Sequence, residues 1–344
     1  MNKELLNLLS NIKENESVSG NRHDRVLLID SMNLFFRNFA MLNTIAPNGV
    51  HIGGLGGFLR SLGSLIKEIQ PTSVYIIFDG EGSTINRKNI LPEYKSGRNI
   101  RRITNSEIFD SIEEEGEAKL DQITRLIQYL KLMPVKTIAI DKTEADDLIA
   151  YLSKYLYSKY NSKIYIVSND KDYLQLVNNN IIVYRPTERL YYDQAKIIEQ
   201  FQILPSNFIL YKTLLGDQSD TVIGVKGLGK SKIFKLFPEL LDTPLTLDKI
   251  FDICEEKMQD HIIYARVLIN ANQLESNYKI MDLENPLINE QDIEILKELV
   301  EERAPDLQSK LIAQLYNEDN LGGIIKNLNI WLKNTFTTLI SYNK

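Results

Sequence analysis

Three apolar runs of strand length each lead into an aspartate. Val26-Leu27-Leu28-Ile29 leads to Asp30, and Val74-Tyr75-Ile76-Ile77-Phe78 leads to Asp79. Ile164-Tyr165-Ile166-Val167 leads through Ser168 and Asn169 to Asp170. Helical patterns over 32–42, 55–69, 117–132, 144–159 and 171–177 alternate with these runs and with further strands at 136–140 and 181–184. That rhythm predicts an α/β fold built on a parallel, doubly wound sheet. Ligands bind such sheets outside the carboxyl ends of the strands. Three carboxylates delivered there repel one another unless a cation lies between them, and hard divalent ions such as Mg²⁺ choose carboxylate oxygen.

The rhythm breaks between Asp79 and residue 118. This insertion, about 80–118, is long, polar and basic, which in a compact domain marks a functional excursion. It contains Asn86-Arg87-Lys88 and Tyr94-Lys95-Ser96-Gly97-Arg98, with Arg101 and Arg102 beyond; from Thr84 to Arg102 there are six basic residues and one acid, Glu93. Arg87 and Lys95, about two helical turns apart, share a face if the segment is helical. Net charge is −6, yet setting aside the nine candidate metal carboxylates turns −6 into +3. A basic segment beside acids suits a polyanion whose phosphate meets bound metal. A solvated basic loop is the plainer alternative.

Three further acidic segments accompany the strand ends. Thr143-Glu144-Ala145-Asp146-Asp147 opens a helix. Taken alone it reads as a capping box, with Thr143 at the cap and acids at the positive helix end. It also follows the strand 136–140, so its acids emerge with the others. Asp170-Lys171-Asp172 places alternating acids on a turn, and Asp217 and Asp220 lie about one helical turn apart. Directly afterwards, Gly224-Val225-Lys226-Gly227-Leu228-Gly229-Lys230-Ser231 satisfies the Walker A spacing. A P-loop needs an apolar strand before it, and Asp217–Val222 is acidic and polar. The turn instead suits backbone N–H groups facing a nucleic-acid phosphate, with Lys226, Lys230 and Lys232 alongside.

Other chemistries have little material. Cys254 is the single cysteine, and His23, His51 and His261 are not at ligand spacing. Zinc and histidine-based nucleophilic catalysis are therefore disfavoured. No apolar run approaches the ~20 residues of a membrane span. Met1–Ser10 lacks the features of a signal peptide. The chain is expected in the cytoplasm. Residues 1–22 are expected to be a flexible segment, in which 1–9 reads as a frayed terminus or else as a small helix with Leu5, Leu6, Leu8 and Leu9 on one side. A catalytic α/β domain over 23–204 and a helical domain over 205–344 complete the division, with a helix–turn–helix at about 206–240.

Together these segments resemble the flap endonuclease family of 5′ nucleases, in particular the nuclease domain of bacterial DNA polymerase I and stand-alone phage enzymes of the ribonuclease H type. The pieces that carry the resemblance are Leu28-Ile29-Asp30, Phe78-Asp79, Asn86-Arg87 with Tyr94-Lys95-Ser96-Gly97-Arg98, Glu144-Ala145-Asp146-Asp147, and Asp170-Lys171-Asp172 with Gln175-Leu176-Val177. Leu215-Gly216-Asp217-Gln218-Ser219-Asp220 and the following glycine-rich turn complete the set, in family order across 26–235. The resemblance implies a PIN-like 5′ nuclease core, a helical arch and a duplex-gripping helix–turn–helix. Asp30, Asp79, Glu144, Asp146 and Asp170 would surround a first Mg²⁺; Asp147, Asp172, Asp217 and Asp220 would hold or orient a second, with Mn²⁺ able to substitute. Lys95, Arg87 and Arg98 would lie on a mobile arch over the 5′ strand, with Tyr94 beside them. Phe36 would stack on the terminal base, or else pack in the core beside Phe35 and Phe39. Lys226, Gly227, Gly229, Lys230 and Lys232 would grip the duplex, with K⁺ at the turn. Implied partners are a DNA duplex with a 5′ flap or an RNA–DNA hybrid, and a single-stranded-DNA-binding protein or sliding clamp; the chain would act as a monomer. A non-catalytic nucleic-acid binder, a P-loop NTPase and an RNA-directed PIN-type nuclease are the competing readings.

Overall fold

The computed structural model describes residues 20–99 and 102–343. Residues 1–9, read as a frayed terminus or a small helix, lie outside the described residues, as do Arg101 and the side chain of Arg98. The first portion contains β1 (Arg25–Asp30), α1 (Ser31–Met41), α2 (Gly53–Ile69), β2 (Ser73–Ile77), α3 (Ile85–Ile90), α4 (Ile112–Leu130), β3 (Lys136–Ile138), α5 (Ala145–Tyr160), β4 (Lys163–Val167), β5 (Ile181–Arg185), β6 (Leu190–Tyr192) and α6 (Gln194–Phe201). Then come α7 (Phe208–Leu215), the short strands β7 (Gly216–Asp217) and β8 (Val222–Ile223), and α8 (Lys230–Leu236). The remainder is helical: α9 (Leu247–Glu256), α10 (Ile262–Ile269), α11 (Ala271–Met281), α12 (Glu290–Glu301), α13 (Ser309–Glu318) and α14 (Leu328–Tyr342).

The main sheet has the order β3-β2-β1-β4-β5-β6. The first five strands run parallel, and β6 joins antiparallel to β5. The chain steps outward from β1 to β2 and β3, then returns to β4. The order therefore reverses between β1 and β4, which makes the crevice at their carboxyl ends the ligand site of an open α/β sheet. Alternation along the strands divides the core. Val26, Leu28, Tyr75 and Ile77 face α5, whereas Leu27, Ile29, Val74 and Ile76 face α1, α2 and α4.

Four local expectations change. The sheet is mixed, because Leu190-Tyr191-Tyr192 turns back along β5. Strands do not stop at 205, since β7 and β8 form a two-strand ribbon. Asp172–Leu176 is a 3₁₀ turn. The helix expected over 55–69 begins two residues earlier, at Gly53. Close approach explains it: a Cβ on Gly53 would lie 1.9 Å from Leu42 O, and one on Gly63 would lie 2.5 Å from the Trp331 indole nitrogen. Lacking side chains there, α2 presses against α1's end and α14.

The expected boundary at 204/205 separates chain segments but not cores. One apolar cluster holds Ile166, Ile203, Phe208, Leu240, Ile253 and Leu296 together. The last two helices return to the main sheet's portion of the chain. Arg125 Nε donates to both Asp319 carboxylate oxygens at 2.8 Å, and Tyr129 OH donates to Oδ2 at 2.7 Å. Near the amino end of β1, the Arg22 guanidinium donates to the Glu301 and Glu302 carbonyls, and Tyr342 lies against Gly20. Among the described residues no helix is long and apolar enough to cross a membrane.

Candidate metal and nucleic-acid site

Asp30 ends β1 and caps α1. Its Oδ1 accepts from Asn33 N at 3.1 Å, and its Oδ2 accepts from Ser168 Oγ at 3.0 Å and Tyr173 OH at 3.4 Å. Burial, with repulsion from Asp79 and Asp170, pushes its carboxyl up to about 7. Asp79 lies two residues past β2, and its Oδ1 accepts from Ala145 N at 2.8 Å. It thus satisfies an otherwise unpaired donor of α5's first turn and fastens two strand ends together. The expected capping box does not form. Glu144 is the cap residue and makes no side-chain cap bond, which leaves its carboxylate for the crevice. Asp170 follows β4, and its Oδ1 accepts from Asp172 N at 2.9 Å. Asp170 is exposed by surface area, yet most of the space around its carboxylate is filled by protein. That burial, with repulsion from Asp146 and Asp220, raises its pKa even against Lys212.

Cations already thread this acidic cluster. Arg87 is expected on a mobile arch; instead it is 2% exposed and sits at the foot of the insertion. Its guanidinium is 2.8 Å from Glu144 and 3.2 Å from Asp146, and its Nη2 donates to Asp147 Oδ1 at 3.2 Å. Its Nε donates to Ile280 O at 2.8 Å. Asp147 also accepts from Leu287 N at 2.9 Å, so both its oxygens are engaged inside the protein. Removing one member of a buried ion-pair network leaves uncompensated charge, at a cost of roughly 3–5 kcal/mol. Arg87→Ala in metal-free buffer is therefore expected to lower unfolding free energy by about that amount in a denaturant titration. A change below about 1 kcal/mol would show the network to be dispensable.

Lys95 Nζ is 2.7 Å from Glu144 Oε1, so Arg87 and Lys95 converge on one carboxylate although only Ile85–Ile90 of the segment is α-helical. Tyr94, expected as a nucleic-acid contact, is turned into the protein. It is 3% exposed and donates its hydroxyl to Glu144 Oε2 at 3.0 Å. Burial and repulsion from Asp146 hold the Glu144 carboxyl at about 7.

A third cation, Lys212 on α7, is a functional candidate that the motifs do not flag. Its ammonium lies 2.6 Å from Asp172 Oδ1 and also pairs with Asp217. The signal was a lone lysine inside the apolar run Phe208-Ile209-Leu210-Tyr211-Lys212-Thr213-Leu214-Leu215, a position that demands a charge partner. Asp172 is pushed up to about 7 by burial and Asp170, whereas Lys212 pulls Asp217 down to about 2 despite burial. Asp217 and Asp220 belong to the β7–β8 hairpin, not to one helical turn.

The candidate nucleic-acid contacts divide by exposure. Phe36 is 43% exposed, edge-on to Phe35, with Lys119 Nζ 5.9 Å from its ring centroid. The core alternative therefore loses ground, and Lys119 joins as a neighbour that motif reading misses. Lys226, Gly227, Gly229, Lys230 and Lys232 are all exposed. Gly227 takes φ +86°, and Arg266 Nη1 donates to Lys226 O at 2.8 Å, bracing the turn. Gly224–Ser231 does not leave a strand of the main sheet, so the geometry a P-loop requires is missing.

Does this donor set suit divalent metal? The donors are hard oxygens, and Asp30, Asp79, Asp146 and Asp170 influence one another electrostatically around the switch point. The buried Asp172 Oδ1 is met by the Lys212 ammonium at 2.6 Å. Among the described residues no three acids close on a single point, because Arg87, Lys95 and Lys212 draw several of them aside. The chemistry fits, and ligation requires those side chains to turn inward.

A pH test follows. Asp30, Glu144 and Asp172 are pushed up to about 7, and Asp147 to about 6. Carboxyls with a raised folded-state pKa keep protons that the unfolded chain has lost above about pH 4. Stability is thus full below that range and falls as pH climbs through 6 to 7. In EDTA, Tm is expected to drop by about 5 °C between about pH 5 and about pH 7.5, and Mg²⁺ should largely restore it. A Tm that holds level in EDTA, read by differential scanning calorimetry, would count against this cluster.

A family model described as 5'-3' exonuclease, N-terminal resolvase-like domain, matches residues 25–202. A 5'-3' exonuclease from Aquifex aeolicus is 27% identical over 304 residues, covering 88% of this chain and 94% of its own length. DNA polymerase I of Lactococcus lactis subsp. cremoris is 29% identical over 306 residues; 84% of this chain is covered, but only 33% of that protein. Among solved structures, a bacteriophage T5 flap endonuclease pseudo-enzyme–product complex with DNA and metal ions aligns at TM-score 0.60 with 18% identity, covering 90% of this chain and 99% of the T5 chain. With a sheet that reverses at β1 and β4, acids gathered at that point, and a family match over more than half its length, the chain belongs to the 5′–3′ exonuclease family.

Proposed function

We propose that this chain is a divalent-metal-dependent, structure-specific 5′ nuclease that hydrolyses phosphodiesters in duplexes with a 5′ flap or in RNA–DNA hybrids. The observation that carries the reading is the gathering of Asp30, Asp79, Asp146 and Asp170 at the sheet's switch point, with the basic 84–102 segment rooted beside them. The family and the T5 enzyme's recorded DNA and metal ions support the same ligands here.

Asp30, Asp79, Glu144, Asp146 and Asp170 would hold one Mg²⁺, and Asp172, Asp217 and Asp220 a second, with Mn²⁺ as a substitute. Bound together, the ions would supply a reactive water at neutral pH and charge for both oxygens of an in-line displacement. The protein's own groups do the rest. Lys95 and Arg98 bring positive charge to the phosphate as it gains negative charge. Arg87 and Asp147 brace the floor. Lys212 keeps Asp172 and Asp217 within reach of each other. Phe36 would offer a face to a terminal base, and Lys226, Lys230 and Lys232 would meet the duplex backbone at the 224–231 turn, where K⁺ would add positive charge. Residues 23–204 would carry the chemistry and 205–344 the duplex grip. The chain would act as a cytoplasmic monomer, with a single-stranded-DNA-binding protein or sliding clamp as further partners.

The second reading is a non-catalytic nucleic-acid binder. What favours it is that Arg87, Lys95 and Lys212 already pair with Glu144, Asp146, Asp147, Asp172 and Asp217. The deciding experiment follows a 5′-flapped duplex and an RNA–DNA hybrid, each 5′-labelled, with Mg²⁺ or EDTA. Metal-dependent release of 5′ fragments establishes the nuclease and ranks the substrates. Tight binding without cleavage in Mg²⁺ or Mn²⁺ establishes the binder.

A further inference from the structure

The β7–β8 hairpin carries Asp217 within β7 and Asp220 in its loop, and that loop, 218–221, contains an unusual backbone state. Thr221 has φ +61°. A β-branched residue in the left-handed region is an outlier, because its side chain crowds the backbone. Short hairpin loops often need one left-handed position, and Gly or Asn fills it with little strain. Here a threonine is held there by its neighbours. Its N–H donates to Gln218 O at 3.3 Å, and Val222, next along the chain, pairs with Asp217.

What threonine has and glycine lacks is a hydroxyl. Thr221 Oγ1 accepts from Gly97 N at 3.0 Å. Close by, Lys95 N donates to Asp220 O at 2.8 Å, and Lys95 is itself left-handed, at φ +57°. Tyr94 packs with Val222, Ile280 and Met281 in one small apolar cluster. Residues 94–97, the base of the basic segment, are therefore fastened to 220–222 by two hydrogen bonds and an apolar contact. Between these fastenings Lys95 reaches Glu144 at 2.7 Å.

We propose that Thr221 is a positioning residue for the nuclease reaction. Its strained backbone presents a hydroxyl that ties the base of the basic segment to the hairpin bearing Asp217 and Asp220. Lys95 and those acids then hold one fixed relation when a phosphate enters. Thr221 acts through Gly97 and Lys95, and it touches neither phosphate nor metal. Strain kept at such a site implies a return elsewhere, and here the return is geometric. The proposal rests on the nuclease reading and deepens it.

The test compares Thr221→Gly with Thr221→Ser in the full chain. Glycine relieves the strain and deletes the acceptor. It should leave Tm unchanged or raised and lower kcat about tenfold, with KM and duplex affinity within about twofold. Serine keeps the acceptor and should recover kcat to within about twofold of wild type. Hydrogen exchange over 94–97 gives a readout that does not depend on cleavage: faster in the glycine variant, protected in wild type and serine. If wild type cleaves nothing, the nuclease reading fails and the positioning role fails with it, while the exchange data still report whether the fastening exists. A glycine variant with wild-type kcat, or with wild-type exchange, overturns the proposal. So does a parallel fall in Tm, kcat and affinity, which would make Thr221 an ordinary folding residue.

Discussion

Asp170→Asn is expected to reduce cleavage of a 5′-flapped duplex at least about 10³-fold while leaving duplex affinity within about twofold. Asn has nearly the same shape, and its side-chain oxygen can still accept from Asp172 N, the 2.9 Å bond that sets the turn after β4. The substitution therefore removes charge and little else. Charge is what the site needs: Asp170 feels Asp146 and Asp220, and it raises Asp30 and Asp172 in turn. One carboxylate fewer would weaken the hold on the proposed divalent ion, which would supply charge to the reacting phosphate. The affinity side follows because the duplex contacts proposed at Lys226, Lys230 and Lys232 belong to another part of the chain. The measurement is single-turnover cleavage with saturating enzyme, beside fluorescence anisotropy in Ca²⁺. Normal turnover in the variant would remove Asp170 from the site and with it the core of the nuclease reading.

Lys95→Ala is expected to lower kcat by about 10²–10³ with only a few-fold change in affinity for the duplex arm. The ammonium is held by Glu144 at 2.7 Å and lies 4.8 Å from the Tyr94 ring centroid. A cation so poised is preorganised to act as negative charge develops, and losing it should be felt in the transition state more than in binding. Glu144 keeps its Arg87 partner in the variant, so the fold should survive. Rates and affinities measured together separate the outcomes. Equal losses in both would make Lys95 a binding residue.

Much of this architecture can be read from local pattern. Asp30, Asp79 and Asp170 are visible because apolar runs of strand length stop at an acid, and the parallel sheet follows from the alternation around them. Failures arise where the deciding partner is distant in sequence. Arg87 reads as a mobile basic residue until Glu144, Asp146 and Asp147 close on it. Lys212 carries no motif, and its importance depends on Asp172 arriving from the end of β4. Gly53 falls outside the helix expected over 55–69, yet glycine is also the residue of close approach, and its close neighbour is Leu42. Tyr94 sits in a basic stretch and so reads as a nucleic-acid contact, yet a pocket formed with Val222, Ile280 and Met281 buries it. β6 escapes because three residues are too few to show alternation.

The meeting of Gly20 with Tyr342 has a practical consequence for single-molecule work. Both residues lie near the amino ends of the parallel strands, whereas the acids lie at the carboxyl ends. A five-residue strand such as β4 spans roughly 17 Å, so the two regions sit on opposite rims of the sheet. A dye or surface linker attached at Tyr342 would be held on the rim away from an incoming duplex. Immobilised molecules should then turn over at rates close to those in free solution.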